Sequence, residues 1–175
     1  GGAPPGCSSS ETARGSRQTF GEATMTGRIL AAIDGSEHGW KALDLAADLA
    51  KGRGGELIVL HVVPYEPISE ALRAFARAEH LPLEEEVARF HQARELGDRL
   101  TRAAESRARA RGLPDVIGRT AEGKPAQQIL EVAGSECVDM IVMGSRGLSD
   151  ARALFLGSVS HQVANHARCT CIAVK

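Results

Sequence analysis

Short apolar runs alternate along this chain with stretches whose apolar residues recur at helical spacing. Ile29–Ile33 (ILAAI) has the length of a buried strand and ends at Asp34-Gly35-Ser36, a turn and helix-start signal. Trp40, Leu43, Ala47 and Ala50 follow at helical spacing until the glycines of residues 52–55 stop the helix. Leu57–Val63 (LIVLHVV) reads as a second buried strand. Residues 64–83 hold three prolines and predict a loop with a short helix around Ser69–Ala78. A long charged helix is expected over about Leu83–Arg111, with Val87, Phe90, Leu100 and Ala104 on its inner face, and Gly112-Leu113-Pro114 breaks it. Asp115–Thr120 is a weaker strand, polar enough for a sheet edge. Pro125 opens the next helix where a missing N–H costs nothing, with Ala126, Ile129, Leu130 and Ala133 facing the core. Met140–Met143 (MIVM) is the fourth strand. A glycine-rich loop then leads to a helix over about Ser158–Ala167, and Cys169–Val174 is the last strand. No internal repeat is visible.

Strands alternating with helices imply an α/β fold. The expected architecture is a doubly wound five-stranded parallel sheet, Rossmann-like, with helices on both faces. The weak third strand and the terminal fifth strand suit the two edges, which gives the order 3-2-1-4-5. Ligands of such sheets bind beyond the carboxyl ends of the strands, where the winding reverses. Here that place lies between strands one and four, with Asp34–Ser36 and the loop after Met143 as its walls.

Composition agrees with that fold and narrows the partners. Aromatic residues make up 3% of the chain against 43% hydrophobic residues in all, so the core must be built from Ala, Val, Ile and Leu. Such cores suit strands buried on both faces. Lys and Arg total 21 against 22 Asp and Glu, which argues against a protein living on nucleic acid or an anionic membrane. No apolar run approaches the roughly 20 residues that span a bilayer. The cysteines, Cys7, Cys137, Cys169 and Cys171, show no C-x-x-C spacing and read as structural thiols of a reducing, cytoplasmic compartment. Residues 1–24, rich in Gly, Ser and Pro, are expected to be a disordered arm or cloning remnant, leaving one domain over 25–175.

The loop after strand four carries the chemistry. Gly144-Ser145-Arg146-Gly147 is followed by nine residues and then Gly157-Ser158 at a helix start. Glycines let backbone N–H groups converge on an anion, and a helix N-terminus adds free N–H groups and its dipole. Arg146 supplies a charged fork of donors between the glycines. The alternative is a flexible loop with Ser158 as an ordinary helix cap. Asp34, on the other wall, suits a ribose hydroxyl or a metal near phosphates. Equally, it suits a helix cap completed by Glu37 as a capping box. Gly118–Lys124 imitates a phosphate-binding P-loop, but Pro125 stands where that loop needs a hydroxyl and an N–H. The six histidines form no metal-ligand cluster, and no nucleophile is paired with a base, so no catalytic residue or metal ligand is assigned.

Ile29–Glu37, Leu60-His61-Val62, Glu122-Gly123 with Pro125, and residues 140–147 with Leu156-Gly157-Ser158-Val159 together resemble the universal stress protein family. The likeness runs from about Arg28 to Lys175, and G-x-x-G, nine residues, G-[ST] is the pattern of its ATP-binding branch. The resemblance implies that Ala32, Asp34 and Val62 line an adenine and ribose pocket, with Met143 against the nucleoside. It places Gly144, Arg146, Gly147, Gly157, Ser158 and Val159 around the phosphates. Ala32 and Arg146 stand where other members often carry proline and histidine, and Cys169 where a proline is usual. The implied function is a cytoplasmic, nucleotide-dependent stress-response regulator that binds ATP (or another adenine nucleotide), with or without Mg2+. It would hydrolyse ATP slowly or not at all, pair as a homodimer through the C-terminal edge strand, and be read by an unidentified protein partner. The alternatives are an ATP-using enzyme of the nucleotide α-hydrolase superfamily and an interaction module that needs no nucleotide.

Overall fold

In a computed structural model of the chain, which describes residues 27–65, 69–80, 84–146 and 157–175, the apolar runs form the middle of a five-stranded parallel sheet. In chain order the elements are β1 (Ile29–Ile33), α1 (Glu37–Arg53), β2 (Leu57–Val63), α2 (Glu70–Ala78) and α3 (Glu84–Ala110). These are followed by β3 (Val116–Glu122), α4 (Pro125–Ser135), β4 (Met140–Gly144), α5 (Ser158–His166) and β5 (Thr170–Val174). The strand order is β3-β2-β1-β4-β5, as the pattern of runs implies.

Residues of the inner strands bury alternately into two core layers. Ile29, Ala31, Ile33, Leu57, Val59 and Val142 pack on one face against Leu43, Ala46, Ala47 and Ala50 of α1 and Ala104 and Ala108 of α3. Leu30, Ile58, Leu60, Val62, Ile141 and Met143 pack on the other against Ile129 and Ala133 of α4 and Val163 of α5. Alanines at these helix positions let the helix axes approach the sheet, and Leu43, Leu57, Ile58 and Leu60 fill the space as fully buried side chains. Each such burial contributes about 2 kcal/mol.

The strand edges shift slightly from the pattern. β3 runs on to Glu122 and pairs with all seven residues of β2, while β5 begins at Thr170 rather than Cys169. A larger difference concerns α3, where Val87 is 54% exposed and does not belong to the inner face. The cause is length. A helix of 27 residues spans about 40 Å, whereas a seven-residue strand spans about 23 Å, so the first turns of α3 have no sheet beneath them. Phe90, seven residues into α3, stacks on Tyr65 with ring centroids 4.4 Å apart.

Two forked ion pairs fix the end of α3 and the residue after it against α1. Arg107 donates from Nε and Nη2 to the two carboxylate oxygens of Asp44, at 2.7 Å each, and Arg111 reaches those of Asp48 at 3.1 and 2.6 Å. The Arg107 guanidinium also lies over the Trp40 ring, 5.5 Å from its centroid. The Arg107 hydrogen bond holds the Asp44 carboxyl below its ordinary value.

Candidate functional site

The crossover from β1 leaves through α1 toward β2, and the crossover from β4 leaves through α5 toward β5, so the chain parts between β1 and β4. A cavity of about 330 Å³ opens there, beyond the carboxyl ends of β2, β1 and β4. That volume falls at the lower end of the roughly 300–1,000 Å³ common to small-molecule sites.

β1 contributes Ala32 and Ile33 to the wall, with Asp34 just beyond its end. Gly35 takes the left-handed conformation (φ +85°) and turns the chain, and the Asp34 carboxylate accepts the Ser36 N–H at 3.0 Å. Ser36, not Asp34, caps α1, its Oγ accepting the Gly39 N–H at 3.1 Å. The capping box expected between Asp34 and Glu37 therefore does not form. The Gly35 turn separates Asp34 from the helix, and Glu37, its first residue, pairs with Lys41 at 2.7 Å. A Cβ on Gly39 would come within 2.9 Å of Asp34 Oδ1, so α1 starts directly against this carboxylate.

β2 supplies an apolar side with Leu60, Val62 and, past the strand end, Pro64. His61 also lines the cavity, and its Nδ1 lies 2.9 Å from the Ile33 carbonyl, its partner in the β1–β2 register. A carbonyl only accepts, so Nδ1 carries the proton and ties the ends of the two strands together. α4 closes this side with Pro125 and Ile129. The proline that spoils the P-loop imitation thus meets the cavity as an apolar ring. Its helix has no side-chain cap at its N-terminus.

The remaining wall comes from the end of β4 and the start of α5. Met143, Gly144 and Arg146 line it, with Gly157, Ser158 and Val159 opposite them and Ser160 in the next position. Gly144 is needed there, since a Cβ would meet the Arg146 carbonyl and His38 Cβ at 3.0 Å and the Gly39 nitrogen at 3.2 Å. Gly157 caps α5 without any side-chain hydrogen bond, and Ser158 is the first helical residue. Ser158 is therefore not the cap that the alternative reading made it. The first N–H groups of α5 have no partner within the helix. Gly157 N–H donates to the Ser145 carbonyl at 2.8 Å, and Ser160 Oγ lies 3.1 Å from the same carbonyl.

Around one cavity the fold thus gathers Ala32, Asp34, Val62, Met143, Gly144, Arg146, Gly157, Ser158 and Val159. Gly147 lies outside the described residues. Leu60 and Pro125, which belong to the motifs of the resemblance without a role of their own, also line the space, as do Pro64, Ile129 and Ser160, which no sequence motif singles out. One end, formed by β2 and α4, is apolar. The other, formed by β4 and α5, holds the start of a helix and includes Arg146 in its wall. Among the described residues no three His, Cys, Asp or Glu side chains come together as a metal-binding group, and no helix is long and apolar enough to cross a membrane. Cys169 and Cys171 are free thiols, and burial pushes both above their ordinary value.

Comparison with known proteins agrees with this geometry. A universal stress protein of Thermus aquaticus is 38% identical over 150 residues, covering 84% of this chain and 97% of the relative. Universal stress protein YxiE of Bacillus subtilis is 33% identical over 152 residues, covering 86% of this chain and all of the relative. Among solved structures, a universal stress protein in complex with cAMP superposes with a TM-score of 0.62 at 27% identity, over 85% of this chain and 97% of that one. The sequence profile of the universal stress protein family matches residues 25–175. The chain belongs to the universal stress protein family.

Proposed function

We propose that this chain is an ATP-binding regulator of the stress response that holds its nucleotide in the crevice between β1 and β4. The observation that carries the reading is the division of the cavity. An apolar end lined by Leu60, Val62, Pro64 and Ile129 suits a flat base, and Met143 adds an apolar side chain from the wall formed by β4 and α5. Asp34 stands beside it as an acceptor for a ribose hydroxyl. The donors of Arg146, Ser158 and Val159 suit phosphates, the bare backbones of Gly144 and Gly157 leave room for them, and Gly147 would complete the set. A relative solved with cAMP supports an adenine nucleotide as the ligand.

Among the described lining residues Asp34 is the one carboxylate, the one histidine, His61, donates from Nδ1 to the Ile33 carbonyl and has Nε2 beside Gly97 of α3, and the polar end offers donors rather than a base. Such a site holds ATP well and takes a proton from water poorly, which favours slow hydrolysis or none. Mg2+ would be held by the phosphates themselves, with Asp34 the nearest candidate ligand on the chain. The protein would act in the cytoplasm as a homodimer joined through β5, with a protein partner reading its nucleotide state.

Isothermal titration calorimetry with ATP and Mg2+ tests the reading: saturable binding is expected, and its absence from folded protein would overturn it. In Gly157→Trp the bulky side chain should obstruct the polar end, cutting ATP affinity by on the order of tenfold or more while far-UV circular dichroism stays unchanged.

A further inference from the structure

The two ends of the glycine-rich loop meet at a single carbonyl. Ser145 directly follows β4, is 3% exposed, and its C=O accepts the Gly157 N–H at 2.8 Å. Ser160, also 3% exposed and one turn into α5, places its Oγ 3.1 Å from that carbonyl and 3.0 Å from the Gly157 carbonyl. Its single hydroxyl proton is shared between two acceptors that stand on opposite ends of the loop.

We infer that Ser160 is a positioning residue that staples the phosphate end of the cavity shut, a role that rests on the nucleotide-binding reading above. A helix N-terminus attracts an anion only while its free N–H groups point at one place, and that direction is set by how the helix is anchored to the strand before it. Gly157, the cap of α5, carries no side-chain bond of its own. The first turn of the helix is therefore held to the end of β4 by the Gly157 N–H and the Ser160 hydroxyl, both on the Ser145 carbonyl. Without the hydroxyl one bond remains, and the helix start is free to swing about it. The apolar end is built from β2 and α4 and uses neither bond.

Nucleotide length separates this role from a general structural one. Calorimetric titrations with ATP and with adenosine are compared for wild type, Ser160→Ala and Ser160→Thr, the last of which keeps the hydroxyl. Ser160→Ala should weaken ATP by roughly tenfold and adenosine by less than about twofold, and Ser160→Thr should restore most of the ATP affinity. An equal fall for both ligands, or ATP binding as tight as wild type in Ser160→Ala, would overturn the proposal. Should Ser160→Ala fail to fold, Ser160→Cys keeps the volume with a weak donor and is judged by the same outcomes.

Hydrogen exchange at the Gly157 amide gives a readout that needs no ligand. Faster exchange in Ser160→Ala, with the amides of β1 unchanged, supports the staple, and equal exchange overturns it. If wild type binds neither nucleotide, the reading of the cavity fails and the staple stands or falls on exchange alone.

Discussion

At the scale of single residues, two neighbouring hydroxyls make opposite predictions. Ser160 Oγ has two carbonyls within reach, whereas Ser145 Oγ is buried with no hydrogen-bond partner among the described residues. A buried polar atom without a partner has lost its water and received nothing in return, at a cost of about 1–3 kcal/mol. Ser145→Ala removes that atom and keeps the backbone bonds, so thermal unfolding should show an unchanged or raised midpoint. A fall of several degrees would show that the hydroxyl is satisfied in solution. Residues of the site differ in the same way in how legible they are. Gly144, Gly157 and Asp34 announce themselves, because a close approach, a bare helix cap and a turn each demand a particular residue type. Ile129 and Ser160 give no such signal: an inward isoleucine and a helical serine are ordinary until the fold brings them to the cavity.

Among the elements, the pairing of α1 with α3 shows what periodicity conveys and where it stops. Leu43, Ala47, Ala50 and Ala104 face the core as their spacing implies, since each lies where helix and sheet overlap. Val87 has the same spacing and is exposed, because a periodic pattern carries no information on where the sheet beneath a long helix ends. The forked contacts of Arg107 and Arg111 with Asp44 and Asp48 join residues 63 positions apart, beyond the reach of any local rule. Arg107→Ala removes a forked ion pair and a cation stacked on Trp40, and urea denaturation at pH 7 should show a loss of about 1 kcal/mol. The pH dependence follows from Asp44, whose carboxyl is held below its ordinary 3.8, chiefly by the Arg107 hydrogen bond. A depressed folded value means that this contribution is whole above the ordinary value and fades as pH falls through the depressed one. The gap between wild type and Arg107→Ala should therefore be full at pH 7 and narrow below about pH 3.8. A gap that stays constant down to pH 2 in the same denaturation series would mean that Arg107 acts by packing alone.

At the scale of the whole molecule, the cavity and the open edge of the sheet are joined through one residue. Ser145, whose carbonyl holds the start of α5, donates its N–H to the carbonyl of Val174 at 2.7 Å, and Val174 is the last residue of β5. At the other end of the strand Thr170 N–H points to Asp139 at 3.3 Å. Thr170 and Val174 therefore turn their backbone groups inward, and the residues that alternate with them, Cys171 and Ala173, turn theirs to the outer edge. That edge holds no proline and no charge between Thr170 and Val174, so it lacks the devices that usually keep an edge strand single. A second copy pairing antiparallel along it would close a two-fold dimer. Ala173→Pro removes an outward N–H and leaves the inward ladder to β4 intact. Sedimentation equilibrium should find wild type as a dimer and Ala173→Pro as a monomer with an unchanged far-UV spectrum; monomeric wild type would end the dimer reading. Because Val174 anchors the residue between Gly144 and Arg146, ATP and dimerisation should reinforce one another, and reciprocity requires equal coupling in both directions. The dimer dissociation constant should fall in saturating ATP, and the monomeric variant should bind ATP more weakly by the factor measured for wild type. An unchanged dissociation constant would mean that the bond from Ser145 to Val174 holds the fold together without carrying a signal.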